Sequence, residues 1–457
     1  MKFSEYFPYY RRNLTLAFPV ILSQLGQVSV SLVDNAMVGR VGTVELAAAS
    51  FANSVFMIGM IFGMGITFGI TPLAGQTYGK GEIRQTTQWF KNGIFTYIIA
   101  GFFLTLIMLG VYFLLPYFGQ SPEVTREAQP YYLWLCASMI PFVGFFTLKQ
   151  FFEGIGNTRM AMKITLASNA VNVLFNYLFI YGKWGFPEMG LEGAGVGTFI
   201  SRLIMPVLFL LIIMRNSRFR KYLILAHVQR IRKHDIVRLL KIGLPIAFQL
   251  IVEMLSFSIG AVMMGWLGVV ELAAHQVAIG LASFTYMISL GISTASTIRV
   301  SHMMGARDFA GMRNAANAAA HLVLSFMTFN ALMFIALRFI LPQIFTTDTA
   351  VIDLAAKLLI IAAIFQLFDG LQVVMLGILR GLADVKVPMF LAFIAYLCIG
   401  IPVSWVFAFP LNFGPSGIWF GYLVGLGVAG ILFNFRFRKN LKTLSFKSTA
   451  AHKVSGL

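Results

Sequence analysis

The chain has 457 residues, of which 58% are hydrophobic and 11% charged, with a formal net charge of +18. That composition is the reverse of a disordered tract, and it supplies too few charges to coat a soluble multidomain enzyme. Two cysteines, Cys136 and Cys398, exclude a disulfide scaffold.

Apolar runs near 20 residues recur along the whole length, and a run of that length with few charges reads as a membrane helix. In chain order the runs predict twelve spans, over 14–38, 45–75, 91–117, 129–151, 161–182, 190–214, 238–264, 271–299, 313–341, 351–377, 387–409 and 415–437. The first run is too long for a cleavable signal and contains Asp34. Loops are short except 215–237, which carries seven of the basic residues, Arg215 to Lys233. The N-terminus, the even-numbered loops and the C-terminus, with the span ends beside them, together hold 29 Lys and Arg, against five in the odd-numbered loops and the span ends beside those: Arg40, Arg126, Lys183, Arg338 and Lys357. That asymmetry puts both termini in the cytoplasm and predicts a multi-pass protein of the inner (plasma) membrane. Basic residues that bracket apolar runs form no basic face with interleaved aromatics, so no nucleic-acid partner is expected.

The chain repeats itself at an offset of 226 residues. Pro19 matches Pro245, Gly42 matches Gly268, and Val44-Glu45-Leu46-Ala47-Ala48 recurs as Val270-Glu271-Leu272-Ala273-Ala274. Thr71 matches Thr297 and Gly79 matches Gly305, while Gly154 and Gly381 match at offset 227. Six spans per repeat put both halves into the membrane from the same side, a parallel-repeat arrangement. The fold expected is an all-α polytopic membrane protein, with twelve transmembrane helices in two six-helix bundles related by a pseudo-twofold axis along the membrane normal. Residues 1–214 would form the N-terminal lobe, 215–237 a cytoplasmic basic linker, and 238–457 the C-terminal lobe with a basic cytoplasmic tail. Two lobes that rock about a shared cleft suit alternating access; a duplication that merely enlarged a bundle is the alternative.

Three acids are embedded in spans: Asp34, Glu253 and Asp369. An ionisable group at the bilayer centre costs ~2.5–3.5 kcal/mol on insertion scales, so each needs a partner, a wet cavity or a proton. Each could serve an ion pathway, or could merely satisfy a polar neighbour such as Asn35, Ser256 or Ser258. Asp34 maps onto Gly260 and Glu253 onto Gln27, so the two lobes are expected to hold different sites. Asn172 and Asn176, spaced i and i+4, share a helix face, and Thr198 could join them beside Asp34. Carboxylate, amide and hydroxyl oxygens suit a hard cation such as Na⁺; interhelical hydrogen-bond glue is the competing reading. In the second half, Tyr286 and Gln276 lie in the eighth span, and Gln366 and Gln372 flank Asp369. An aromatic face near a carboxylate would attract an organic cation, although Tyr286 alone reads more simply as packing. Arg202 is a base inside the sixth span with no partner assignable from sequence. Gly75 to Gly81 has the wrong spacing for a P-loop, no other ATP-binding motif occurs, and the six histidines lack metal-ligand spacing. The energy must then come from an ion gradient or a partner. A membrane enzyme would need a metal cluster or a nucleophile–base pair in the spans, and neither is present in the sequence.

These residues resemble the multidrug and toxic compound extrusion (MATE) family, within its NorM-like bacterial subgroup. The resemblance rests on Leu32-Val33-Asp34-Asn35-Ala36-Met37-Val38-Gly39 in the first span and on the run Leu244-Pro245 to Glu253 in the seventh. It also rests on Gln366-Leu367-Phe368-Asp369-Gly370-Leu371-Gln372 in the tenth, followed by Arg380-Gly381. It implies a secondary active antiporter that exports hydrophobic organic cations, drugs and dyes, in exchange for Na⁺ or H⁺. It assigns cation coupling to Asp34, Asn172, Asn176, Thr198, Glu253 and Asp369, and substrate binding to Asp34, Glu253, Tyr286 and Asp369. A Na⁺ site falls either at Glu253 and Asp369 or at Asp34, Asn172 and Asn176. Some members carry Asp where this chain has Asn176, and a further family acid matches Asp348, which lies in a loop. No cofactor beyond the coupling ion is expected, and the partners are cationic small molecules and the lipid bilayer, with the chain acting as a monomer. A lipid-linked oligosaccharide flippase of related architecture is the alternative; it would need net positive charge in the membrane, where this chain offers mainly Arg202 against three acids.

Overall fold

The computed structural model describes residues 3–455, with side chains over 5–444. Among the described residues there is no strand, and twelve helices are long and apolar enough to cross a membrane. They run Phe7–Gly39, Thr43–Gly79, Ile83–Tyr112, Pro122–Gly154, Thr158–Tyr181 and Gly190–Arg215, then Lys233–Leu267, Val269–Ala306, Phe309–Ala336, Thr349–Gly381, Lys386–Ala408 and Pro415–Leu444. The twelve match the spans expected from sequence one for one.

Their ends differ from the apolar runs for local reasons. The first span starts at Phe7 and so carries Arg11 and Arg12, because backbone hydrogen bonding continues through polar residues until something stops it. The third ends at Tyr112 rather than near 117: a short helical turn, Leu115–Phe118, contains Pro116 and leads to Gly119 at φ 75°. The fourth begins at Pro122, where proline takes the first helical turn and Ser121 Oγ accepts from Val124 N at 3.3 Å. The eleventh opens into a wide π-type turn, Ile394–Gly400, between Lys386–Phe393 and Ile401–Ala408. The twelfth continues as helix to Ser455; of the expected basic tail, the side chains beyond 444 lie outside those described.

By its contacts the chain forms two compact units, Leu22–Ala247, and Met1–Ile21 together with Phe248–Leu457. The division falls inside the first and seventh spans, at positions 226 residues apart, which is the offset of the repeat. Each unit repeats the same internal joint. In one, Thr71 Oγ1 donates to Gln150 O at 3.0 Å; in the other, Thr297 Oγ1 donates to Gly377 O at 2.8 Å. Beside each joint a glycine lets two backbones meet: a Cβ on Gly154 would lie 3.0 Å from Thr71 O, and one on Gly381 would lie 2.7 Å from Thr297 O.

In the unit 22–247, buried Phe145, Phe151, Phe152 and Phe209 form an aromatic core. Phe102, Phe103 and Ile107 of the third span stay exposed, as a lipid-facing surface requires. Lipid tails are as apolar as leucine, so close packing and interhelical hydrogen bonds must hold such helices together. The basic segment 215–237 is ordered onto this unit. It forms a helix, Ser217–Val228, capped by Asn216, and buries Tyr222 against Phe151. Burial pushes the Tyr222 phenol up to about 12. Asn92 Nδ2 donates to buried Asp235 Oδ2 at 2.9 Å, and Asn92 Oδ1 accepts from Arg232 N at 3.2 Å. Gln88 Nε2 reaches Arg230 O at 2.7 Å, and Lys91 Nζ donates to Gln229 O.

In the other unit, Phe365, Trp419, Phe433 and Tyr396 fill the core. The first helical turns are fixed there by Ala17, which is fully buried, and by Asn13 Nδ2, which donates to Ala315 O at 3.1 Å. Tyr10 Oη lies 3.0 Å from His321 Nδ1.

Candidate functional site

The embedded acids Glu253 and Asp369 fall in the second unit described. The seventh span puts Gln249 and Glu253 one helical turn apart on one face, and Gln249 Nε2 donates to Glu253 Oε2 at 3.0 Å. Arg380 Nη2 donates to Gln249 Oε1 at 2.5 Å, which fixes that amide with its nitrogen toward the acid. The tenth span spaces Asp369 and Gln372 at i, i+3, and Gln372 Nε2 donates to Asp369 Oδ1 at 3.3 Å. Tyr396 Oη donates to Gln372 Oε1 at 2.7 Å, which fixes the second amide in the same sense. The motif is thus built twice: a carboxylate, an amide that donates to it, and an outer donor that sets the amide. Both acids are buried, at 7% and 6% exposure, so neither carboxylate faces lipid. Charges within the cluster reach one another: Glu253 acts on Asp369, on Arg380, on Tyr286 and on Tyr396.

A cavity within this unit brings Glu253 and Ser256 together with the rings of Phe257, Tyr396 and Tyr422. The wide turn at Ile394–Gly400 belongs to its wall, and such turns often mark functional positions in helices. Tyr286 is half-buried on the eighth span, within electrostatic reach of both acids. Gln276 is exposed and takes no part in the cluster. Gln366 is buried, but neither of its amide atoms has a hydrogen-bond partner. Asp348 is exposed and caps the tenth span, its Oδ1 accepting from Ala350 N at 2.9 Å, a structural duty of the kind Asp performs at helix starts.

Asp34 lies in the unit 22–247 and is half-buried. Asn176 Nδ2 donates to Asp34 Oδ1 at 2.7 Å. With its amide nitrogen turned to the carboxylate, the orientation that satisfies both groups, Asn172 donates to Oδ1 at 2.9 Å and to Oδ2 at 3.3 Å. The two asparagines therefore meet the acid with N–H groups. The remaining oxygen of Asn176 faces Gly197, where a Cβ would lie 2.1 Å away. Thr198 is one residue on and half-buried; its carbonyl accepts from Ser201 Oγ at 3.0 Å.

Arg202, without an assignable partner in the sequence, has one in the structure. Its Nη1 donates to Ser138 Oγ at 2.7 Å and its Nη2 meets Met60 Sδ at 3.6 Å. The guanidinium carbon lies 5.5 Å from the Phe56 ring centroid and 5.0 Å from that of Phe142. Gln249 and Tyr396 were missed in the sequence, and Arg380 was read only as part of a motif. Gln249 could have been found from its i−4 spacing to Glu253. Tyr396 could not, because only the folded eleventh span brings it to Gln372.

The MatE family model matches the chain twice, over residues 19–178 and 245–406. The two matches begin at Pro19 and Pro245, equivalent positions of the repeat. The chain is similar to the probable multidrug resistance protein NorM of Agrobacterium fabrum, 31% identical over 448 residues and covering 96% of each chain. It is similar also to that of Rhodopseudomonas palustris, 36% identical over 443 residues, covering 96% of this chain and 94% of the relative. Among solved structures, the Vibrio cholerae MATE transporter VcmN in the bent form superposes with a TM-score of 0.87 at 20% identity, covering 97% of this chain and 99% of that one. The eukaryotic MATE transporter AtDTX14 does so with a TM-score of 0.84 at 20% identity, covering 97% and 98%. Match extent and identity agree, and the chain belongs to the MatE family of multidrug and toxic compound extrusion transporters, in its NorM-like subgroup.

Proposed function

We propose that the protein is a secondary antiporter of the inner membrane that exports hydrophobic organic cations in exchange for Na⁺ or H⁺ by alternating access. One observation carries the reading: Glu253 and Asp369 are two buried carboxylates in one hydrogen-bonded cluster, and Glu253 opens on a cavity walled by aromatic rings. A carboxylate gives an organic cation its charge partner, and ring faces give it cation–π contact. The names of the relatives, multidrug resistance proteins, agree with such a cargo.

Coupling follows from shared charge. A proton or Na⁺ on Glu253 or Asp369 cancels the attraction that holds the organic cation, so the two passengers occupy the acids in turn. The amides of Gln249 and Gln372 keep both carboxylates oriented while the passengers exchange. One charge moved across 100 mV supplies ~2.3 kcal/mol, which at about 1.4 kcal/mol per tenfold supports a gradient of roughly 40-fold. Asp34, with Asn172, Asn176 and Thr198, would shape the other unit's contribution, and Tyr286 would add a ring beside the paired acids. The excess of basic residues in the N-terminus and even-numbered loops supports cytoplasmic termini. One chain carries both repeats, so a monomer would suffice.

The test is dye efflux from vesicles, with Na⁺ and pH gradients imposed separately, for the intact chain and for Glu253→Gln and Asp369→Asn. The reading expects efflux driven by one of the gradients and lost in both variants. Normal pumping by both variants under the same gradient would reject it.

A further inference from the structure

In the unit 22–247, the end of the second span, the loop after the fourth and the segment 215–237 meet around a cleft. Tyr78, Asn157, Arg218, Phe219, Lys221 and Tyr222 line it, and it holds about 610 Å³ of space counted out to its mouth. Two of the lining residues are bases and none is an acid. Both bases lie against rings: Arg218 Cζ is 5.9 Å from the Phe219 centroid, and Lys221 Nζ is 5.4 Å from that of Tyr222. The rings are themselves fixed, Phe219 edge-on to Phe152 at 5.2 Å and Tyr222 edge-on to Phe151 at 5.4 Å. Among the described residues those rings are the only partners of either charged group. A ring face attracts a cation but accepts few of its N–H groups, so the donors of a guanidinium and an ammonium remain for a ligand. Two bases without an acid select an anion.

The place of the cleft says which anion. The helix that carries both bases, Ser217–Val228, begins two residues after the sixth span ends at Arg215. Leu211 and Met214, in the last turns of that span, are exposed, as residues that face lipid are. Arg218 and Lys221 therefore stand just beyond the hydrocarbon, at the depth of the headgroups. On the short helix Lys221, Ile224 and Val228 are spaced i, i+3 and i+7 and share one face, and Ile224 and Val228 are 56% and 78% exposed. A base at the head of an exposed apolar stripe, beside a span end, is the pattern of a helix that lies in the membrane interface. A free anion would engage the bases and leave the stripe in water; a lipid engages both.

We infer that this cleft binds the phosphate headgroup of an anionic phospholipid, with Arg218 and Lys221 as counter-charges and the Ile224–Val228 stripe beside the acyl chains. Arginine offers the phosphate a planar fork of donors and lysine a compact charge. The site goes beyond the antiport reading and shares no residue with it.

The experiment counts lipids bound to the purified full-length protein by native mass spectrometry, during titration with dioleoylphosphatidylglycerol or dioleoylphosphatidylcholine. The intact chain is expected to hold one phosphatidylglycerol more tightly than any phosphatidylcholine. Arg218→Gln with Lys221→Gln should weaken that site about tenfold or more, from roughly 1 kcal/mol per basic residue near an anionic lipid, which is about 1.4 kcal/mol per tenfold. Arg220→Gln with Arg230→Gln removes the same charge from the same segment outside the cleft and should leave the site intact. Equal weakening by the two pairs would mean that overall charge attracts the lipid, and would overturn the inference. A second pair, Ile224→Ser with Val228→Ser, keeps every charge and should also weaken the lipid site. Binding indifferent to that pair, with inorganic phosphate displacing the lipid at equal concentration, would assign the cleft to a free anion and overturn the inference as well. The Glu253→Gln, Asp369→Asn protein should bind the lipid as the parent does, so its dye efflux judges the antiport reading separately.

Discussion

The phenol of Tyr396 donates to the side-chain carbonyl of Gln372 at 2.7 Å. Through that bond a residue in the wide turn of the eleventh span sets which end of an amide faces Asp369 on the tenth. Tyr396→Phe removes the hydroxyl and leaves the Gln372 carbonyl buried without its donor, a loss of about 1–3 kcal/mol. The amide can then turn its oxygen to the acid. Efflux is expected to fall about tenfold, the factor carried by ~1.4 kcal/mol, and initial rates of dye efflux check this.

Arg380 is the only fixed positive charge the described residues place beside Glu253. Arg380→Met should destabilise the chain by ~3–5 kcal/mol, the usual penalty for stranding one partner of a buried charge pair. Adding Glu253→Gln removes the stranded charge and should recover at least half of the loss. Thermal unfolding in detergent of the two single variants and the double variant measures that coupling.

Asn92 bridges the third span to the segment that joins the repeats, through Asp235 and the amide of Arg232. Asn92→Leu leaves Asp235 buried with one partner fewer, at a cost of about 1–3 kcal/mol. The segment 217–235 should then be cut faster by trypsin in limited proteolysis, given its density of Arg and Lys, while cleavage elsewhere keeps its rate.

Gly243 lets the seventh span touch the second: a Cβ there would stand 2.2 Å from Ile66 O, a backbone atom that cannot turn aside. Gly243→Ala should cost ~1–3 kcal/mol by overpacking. Gly144 has nothing within 4 Å of its Cβ position, so Gly144→Ala should stay within about 0.5 kcal/mol of the parent. Paired melting curves test the contrast.

Much of the architecture was legible in the residues. Twelve spans follow from apolar run length, and the repeat follows from an ungapped match that reappears as the joints Thr71–Gln150 and Thr297–Gly377. The ends of spans were less legible, since a helix such as Phe7–Gly39 runs on through Arg11 and Arg12 without any apolar signal. The segment 215–237 read only as a basic linker because its burial depends on one residue, Tyr222, meeting Phe151. Within the candidate site, the acids announced themselves by the cost of placing charge in a membrane. Their supports did not, because a glutamine or a tyrosine in a span has many uses, and only the fold brings Tyr396 and Arg380 to the two amides. The direction of an amide was likewise beyond the sequence: at Asn176 it is the nitrogen that meets Asp34.

Competition between a large and a small cation for Glu253 and Asp369 is tested most directly by equilibrium binding of tetraphenylphosphonium to the purified protein as Na⁺ is raised or pH lowered. The account predicts that one of the two ions displaces the organic cation competitively, and that Glu253→Gln with Asp369→Asn abolishes both the binding and its sensitivity. Tetraphenylphosphonium binding that ignores Na⁺ and pH alike, or that persists undiminished in the double variant, would contradict it.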